Sequence, residues 1–520
     1  MRYLILIILF FVQSNLFSQE SLALGVFQDA RLMFLGDERG NDAGTMDLLL
    51  RLRLEGKQKK IGYFVFYLSY EHANLASTLK RYSSSFGFTF NNLSKSNKFI
   101  NRFEFILTVG YGNLNRNRND SIDKYYNWSF CEETSFKVNE FMKISFLTPE
   151  YPHVRLSSSG GLGTSIKNLA LQLTNLGIKV TVFVVFQSHD EIFFDEKVKI
   201  ISIKKHKHKF LGWYKERKRL QHIIQEEINK ASIQLIEAPD WTGISAFMKF
   251  TVPLIIRLNG SDGYFCKLDG RKQKFKNFVF EKTALKSAKE IISTSTFTGQ
   301  ETKKIFSLNK SIKTIHNGID VEAFIPEDIE INKGQILYFG TLIRKKGVLE
   351  LAEVFNLVKE KHPSAQLLLV GKDATDVFTN KSTIKLLNDL LSAKAKASTT
   401  HLSEVPYQDI KRYVSKANLV VLPSFAEAFP MTWIETLSME KALVSSNIGW
   451  AKELMVDNET GFTVNPKNHE DFALKIIKLL DDSKLCESFG KAGRQRVIDR
   501  FSSEKVTKQN IEFYKSVIYK

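Results

Sequence analysis

Ser424-Phe425-Ala426-Glu427-Ala428-Phe429-Pro430-Met431-Thr432-Trp433-Ile434-Glu435 is the stretch from which the fold is read. It follows Ala417-Asn418-Leu419-Val420-Val421-Leu422-Pro423, an apolar run of the kind that forms a buried parallel strand, and it predicts a helix through Met439. Strand, loop and helix in that order put the loop on the rim where α/β sheets take ligands. A helix start carries unpaired N–H groups and partial positive charge, so Phe429, Pro430, Met431 and Thr432 suit a phosphate. Helical side chains lean toward their own N-terminus, so Glu435, about one turn in, points at the spot that Glu427 reaches from the loop. Two carboxylates beside one anion make sense as acceptors for hydroxyl groups, and a nucleotide sugar has hydroxyls on both sides of its diphosphate.

Outward from this stretch, Gln335 to Phe339 reads as a strand, and Gly340-Thr341-Leu342-Ile343-Arg344-Lys345-Lys346-Gly347 turns into a helix. Cations at that turn, across the rim from Glu427, stabilise a leaving diphosphate. Further upstream, Ile144 to Leu147 predicts a first strand. The run Ser157-Ser158-Ser159-Gly160-Gly161-Leu162-Gly163-Thr164-Ser165 then enters an amphipathic helix that ends at Leu176 and Gly177, before a second strand over Val180 to Phe186. Gly160 and Gly161 let the backbone approach a phosphate or sugar. The loop is not a spaced G-x-G-x-x-G, and no acid ends the second strand to hold a ribose, which argues against a dehydrogenase. Asp240, in Ala238-Pro239-Asp240-Trp241, and Asn259 and Ser261, in Arg257-Leu258-Asn259-Gly260-Ser261-Asp262, follow short apolar strands and are candidates for an acceptor or sugar cleft. No D-x-D triplet occurs, so no metal is required to bridge a diphosphate.

The Glu-x7-Glu arrangement from Glu427 to Glu435 resembles the donor signature of retaining glycosyltransferases of family 4, which have the GT-B fold. The resemblance covers residues 142–520. It implies an α/β architecture of two Rossmann-like domains facing across a cleft: an acceptor domain over 142–325, a nucleotide-sugar donor domain over 326–495, and a C-terminal helix over 496–520 crossing back to the first. It implies a UDP- or GDP-sugar as co-substrate with no bound cofactor, and retention without an evident nucleophile. In the resemblance Gly160 and Gly161 lie between donor and acceptor, Glu427 positions the donor sugar, Glu435 holds the ribose, and Val405 lies against the base. Lys346 acts on the diphosphate. Asn259 stands where the family usually has a His, and Thr341 where an Arg usually follows the first Gly; Arg344 is expected to supply that charge. The implied reaction moves a hexose-type sugar to a glycan or lipid-linked acceptor in cell-surface polysaccharide synthesis. A nucleotide-sugar epimerase of the same fold, or an exported β-rich envelope protein with an inert second half, are the alternatives.

Length and composition fit this picture: 520 residues, 43% hydrophobic and 25% charged, make two to four globular domains. Lys and Arg outnumber Asp and Glu by 74 to 56, a net +18 that suits anionic ligands, anionic membranes or nucleic acid without choosing among them. The most basic window, 204–219, interleaves cations with Phe210, Trp213 and Tyr214 and suits an anionic inner-membrane surface; a solvated charged face with core aromatics fits equally. No nucleic-acid recognition module accompanies the charge. Cys131, Cys266 and Cys486 form no C-x-x-C pair. Residues 1–18 read as a secretory signal peptide, and 19–141 alternate in period two as a β-rich antiparallel sheet or partial barrel, resembling small exported flavobacterial β-barrel-like proteins. Export conflicts with cytoplasmic nucleotide sugars. The expectation is therefore a fusion of two genes, with the transferase half cytoplasmic or peripheral at the inner membrane.

Overall fold

The computed structural model describes the backbone of six N-terminal strands, and residues 142–519 apart from Glu404; the signal-peptide reading lies outside the described residues. The chain divides into two compact units, Met1–Glu140 and Phe141–Lys520. In the first, β1 (Leu22–Asp29), β2 (Ala43–Gly56), β3 (Tyr63–Leu75), β4 (Leu79–Asn91), β5 (Arg102–Leu114) and β6 (Tyr125–Cys131) pair antiparallel in chain order.

The second unit holds two sheets. β7 (Lys143–Thr148), β8 (Lys179–Gln187), β9 (Glu191–Asp195), β10 (Val198–Lys204), β11 (Leu235–Pro239), β12 (Leu254–Leu258), β13 (Glu290–Ser293) and β14 (Ile312–Thr314) line up as β14-β13-β12-β11-β7-β8-β10-β9. All are parallel except β9, which pairs antiparallel with β10. β15 (Gln335–Phe339), β16 (Gln366–Val370), β17 (Thr399–Leu402), β18 (Leu419–Leu422), β19 (Leu443–Ser446) and β20 (Phe462–Val464) form a parallel sheet ordered β17-β16-β15-β18-β19-β20. Parallel strands covered on both faces read as unbroken apolar runs, and β11, β12 and β18 are buried along their whole length.

These orders fix where ligands go. β15 and β18 are neighbours, with Ile336 opposite Leu419, yet the chain leaves them toward opposite edges, β15 to β16 and β18 to β19. A crevice opens at such a switch point beyond the strands' carboxyl ends, here between Gly340–Gly347 and Pro423–Pro430. The first lobe has its own switch point between β7 and β11, next to Glu150 and Asp240.

The chain's end belongs to both lobes. The Ser483–Arg500 helix gives Phe489 and Val497 to the second lobe's core. The Ser503–Ile518 helix returns to the first, placing Val506, Phe513, Tyr514 and Val517 in one core with Ile144, Val180 and Ile255. The crossing is pinned by Ile319 N–H to the Phe501 carbonyl (2.9 Å) and Ser503 N–H to the Ile319 carbonyl (2.8 Å). Beneath it lies a buried ion pair, Arg257 Nε to Glu237 Oε1 at 2.6 Å, whose other carboxylate oxygen accepts the Tyr514 hydroxyl at 2.7 Å.

Candidate active site

At the second lobe's switch point the basic turn and the acidic loop are stitched together by main chain. The amides of Phe425 and Ala426 donate to the Lys345 carbonyl at 2.8 and 3.3 Å. Gly347 makes this possible: its φ is +72°, and a Cβ there would run into the Pro423 carbonyl oxygen. Held this way, Lys346 Nζ lies 3.5 Å from Glu427 Oε1, which also accepts the Ser424 hydroxyl at 3.2 Å. A Cβ added to Gly340 would sit 3.4 Å from Lys346 Nζ and 3.8 Å from the Thr432 methyl, so the ammonium, the glycine loop and the helix start meet at one place. That helix runs Met431–Ser438 from Pro430 at its N-cap.

Glu435 sits one turn in and is only 3% exposed. Burial pushes its carboxyl up to about 7, while the Tyr407 hydroxyl, donating to Oε1 at 2.6 Å, and the Lys346 charge pull the other way. Tyr407 stands on the short turn Tyr407–Asp409, two residues after Val405, whose side chain packs at the edge of the same core. Glu404 lies outside the described residues.

The first lobe closes onto the acidic loop through hydroxyl groups. Tyr264 donates to the Glu427 carbonyl at 2.6 Å, and Ser295 and Thr298 donate to the Ala428 carbonyl at 2.7 and 3.1 Å. His316 stacks on Phe429 with ring centroids 4.8 Å apart, and its Nδ1 is 2.8 Å from the Thr294 carbonyl; burial lowers its pKa. Glu453, from the second lobe, accepts the amides of Thr296 and Phe297 at 2.8 and 2.9 Å, capping a first-lobe helix.

Three sequence expectations need correction. Arg344 does not join Lys346: its guanidinium is engaged bidentately by Asp376, Nε–Oδ1 2.6 Å and Nη2–Oδ2 3.1 Å, which holds that carboxyl down at about 2. Ser261 does not line the cleft, because it is fully buried and its hydroxyl caps the Asp262–Leu268 helix by accepting the Tyr264 amide at 3.1 Å. Asp240 is 1% exposed and sits behind the rim, where Oδ1 accepts the Asn259 amide at 2.9 Å and burial raises its pKa to about 8. Its Oδ2 has no partner among the described residues.

Gly160 and Gly161 keep to the first lobe, with no contact to the Lys346–Glu427 pair among the described residues. The amides of Gly160 and Gly163 donate to Glu150 Oε1 at 3.1 and 2.8 Å, and Gly161 faces open space. Asn259 is half-buried, with its amide group 3.5 Å from the Arg257 carbonyl. In the basic window, Glu216 gathers His208 and Arg219, Arg217 is buried over Phe280, and Trp213 packs on Phe247 and Phe280. Lys204, Lys205, Lys207, Lys209 and Lys215 remain exposed beside Phe210 (80% exposed) and Leu211 (59%).

Sequence reasoning missed Tyr407, Tyr264, Ser295, Thr298 and Lys345. The hydroxyls of Tyr264, Ser295 and Thr298 carry no spacing signal because their partners are main-chain carbonyls of the other lobe, Tyr407 meets Glu435 from a turn 28 residues away, and only the lysine's place in a basic turn could have drawn notice.

Comparison with known proteins matches both lobes. Residues 322–496 match the family model "Glycosyl transferases group 1" and residues 159–323 match "Glycosyltransferase Family 4". The capsular polysaccharide biosynthesis glycosyltransferase CapM of Staphylococcus aureus is 28% identical over 35% of this chain, which spans only 46% of that relative. Among solved structures, sucrose-phosphate synthase of Thermosynechococcus elongatus aligns with TM-score 0.61 at 19% identity, over 73% of this chain and 99% of that one. Anabaena Alr3699/HepE in complex with UDP-glucose aligns with TM-score 0.56 at 18% identity, over 72% and 100%.

Proposed function

Because this chain belongs to the group 1, family 4 glycosyltransferases and has their GT-B fold, we propose that it moves a hexose-type sugar, with retention, from a UDP- or GDP-sugar to a glycan or lipid-linked acceptor of the cell surface. The observation that carries this reading is the Lys346–Glu427 pair, held at the switch point beside an open helix start and the Glu435–Tyr407 couple. The Lys346 ammonium and the first helical amides take charge on the diphosphate as it departs. Glu427 accepts a hydroxyl of the donor sugar and Glu435 accepts from the ribose. The departing β-phosphate takes the acceptor hydroxyl's proton on the face it leaves, so the linkage keeps its configuration without a protein nucleophile. Binding of UDP-glucose by Anabaena Alr3699/HepE and the polysaccharide role in the name of CapM support the donor and acceptor classes. Release of nucleoside diphosphate by the full chain, across a panel of UDP- and GDP-sugars with and without lipid-linked glycan, tests it. Epimerised donor in place of released diphosphate would support an epimerase, and silence across the panel would leave an inert envelope protein.

The exposed lysines with Phe210 and Leu211 support docking on an anionic inner membrane, the transferase half working on its cytoplasmic side after fusion of two genes. Co-sedimentation with phosphatidylglycerol vesicles but not phosphatidylcholine vesicles is expected. An immunoblot showing one exported species of full mass would count against the fusion.

A further inference from the structure

The donor site as described has one cation too few for its task. A leaving nucleoside diphosphate carries more than one negative charge, yet Lys346 is already opposed by Glu427, Arg344 is closed off by Asp376, and Thr341, exposed at the rim, is neutral. Lys345 lies between them. Its carbonyl is the acceptor that fixes the acidic loop, so its backbone cannot drift from the site. Its ammonium has no hydrogen bond or ion pair among the described residues, and instead sits 3.5 Å from the centroid of the Phe265 ring, across the lobe boundary. Phe265 in turn covers Gly260, where a Cβ would lie 2.6 Å from the ring. The charges that act on Lys345 are Glu427 and Lys346 from its own lobe and Asp269 and Arg271 from the first; burial outweighs them and lowers its pKa. An ammonium with three donors and only an aromatic face for company beside an anion site is a donor awaiting an acceptor.

We propose that Lys345 is the second cation of the donor site, its ammonium moving from the Phe265 ring to the diphosphate when a nucleotide sugar binds. The inference rests on the nucleotide-sugar reading above and supplies the charge that Thr341 and Arg344 do not. It also makes donor binding alter a contact between the lobes, since the ring that loses the ammonium belongs to the first lobe.

Calorimetric titration of the full chain with UDP, GDP and their nucleosides decides the matter, using native protein, Lys345→Met, Lys345→Arg, Arg344→Gln and the double variant Lys345→Met/Thr341→Arg. Methionine preserves a flexible apolar contact with the ring, and thermal melting checks that each variant folds. Expected for Lys345→Met is a loss of about ten- to hundredfold in diphosphate affinity, the worth of a charge-assisted hydrogen bond, with nucleoside affinity unmoved. Lys345→Arg and the double variant recover most of it, and Arg344→Gln matches native. Native protein that binds a nucleoside diphosphate while Lys345→Met binds it equally well overturns this inference alone. Native protein that binds neither diphosphate overturns the transferase reading along with it. Should Lys345→Met not fold, Lys345→Gln takes its place, and a Lys345→Gln protein that binds diphosphate as tightly as native overturns the assignment.

Discussion

Replacing Tyr407 by phenylalanine removes one hydroxyl and leaves the ring in place, and its effect should appear as a displaced pH profile. Tyr407 donates to Glu435 at 2.6 Å, and a carboxyl that burial has raised to about 7 depends on that bond to ionise near neutrality. A hydrogen bond to a charged group contributes about 1.5–3 kcal/mol, which at 1.36 kcal/mol per unit moves the carboxyl up by about one to two pKa units. If the ionised carboxylate is what accepts the ribose hydroxyls, Kd scales as 1 + 10^(pKa − pH). At pH 7 native protein then binds about twofold below its limit, and Tyr407→Phe roughly ten- to hundredfold below, a ratio of about 5 to 50. Near pH 9 the two differ by about twofold at most. Titrating UDP and GDP into both proteins between pH 5.5 and 9 measures this directly. Parallel profiles with an unshifted inflection would refute the coupling, and affinity that rises on acidification would show that Glu435 works as a neutral acid.

Glu427→Ala and Lys346→Ala should each lower transfer by about a hundredfold or more, the ~3 kcal/mol typical of one preorganised charge, with unchanged circular dichroism. Arg344→Ala should leave turnover near native and lower the melting temperature, since Asp376 loses its partner at about 1–3 kcal/mol. Gly347→Ala forces a side chain into a left-handed turn against Pro423; a loss of about 2–5 kcal/mol and of diphosphate binding is expected from denaturant melts and titration. Glu435 stands near 7 and Asp240 near 8, above their unfolded values, so the folded protein binds more protons across that window. Stability of the ligand-free protein should therefore fall as pH rises from 5 to 8, visible as a dropping melting temperature.

Much of the frame was legible because short apolar strands alternate with turns whose residues declare themselves. Gln335 to Phe339 is a strand to the residue, and Gly177, at φ +82°, ends its helix where the pattern placed it. β9 and β10, over 191–204, went unread, since they lie just before a basic window that drew attention to charge. At the site, spacing correctly paired Glu427 with Lys346, because both sit a fixed distance beyond strands that neighbour each other in the sheet. It misjudged Arg344, because Asp376 comes from a loop beyond β16 and no local pattern announces a partner that far along the chain. Ser261 misled for a related reason: a serine before a helix is as good a cap as a ligand, and the Tyr264 amide claimed it.

The first lobe's core contains Tyr514 and Val517, which come after the whole second lobe in the chain. Its sheet is laid down before the second lobe, but the buried Arg257 and Glu237 wait unsealed until the Ser503–Ile518 helix has been made, while the second lobe can be finished beforehand. A premature stop near residue 500 would thus damage the half of the protein synthesised first, and limited proteolysis of such a product should trim β7–β14 before β15–β20.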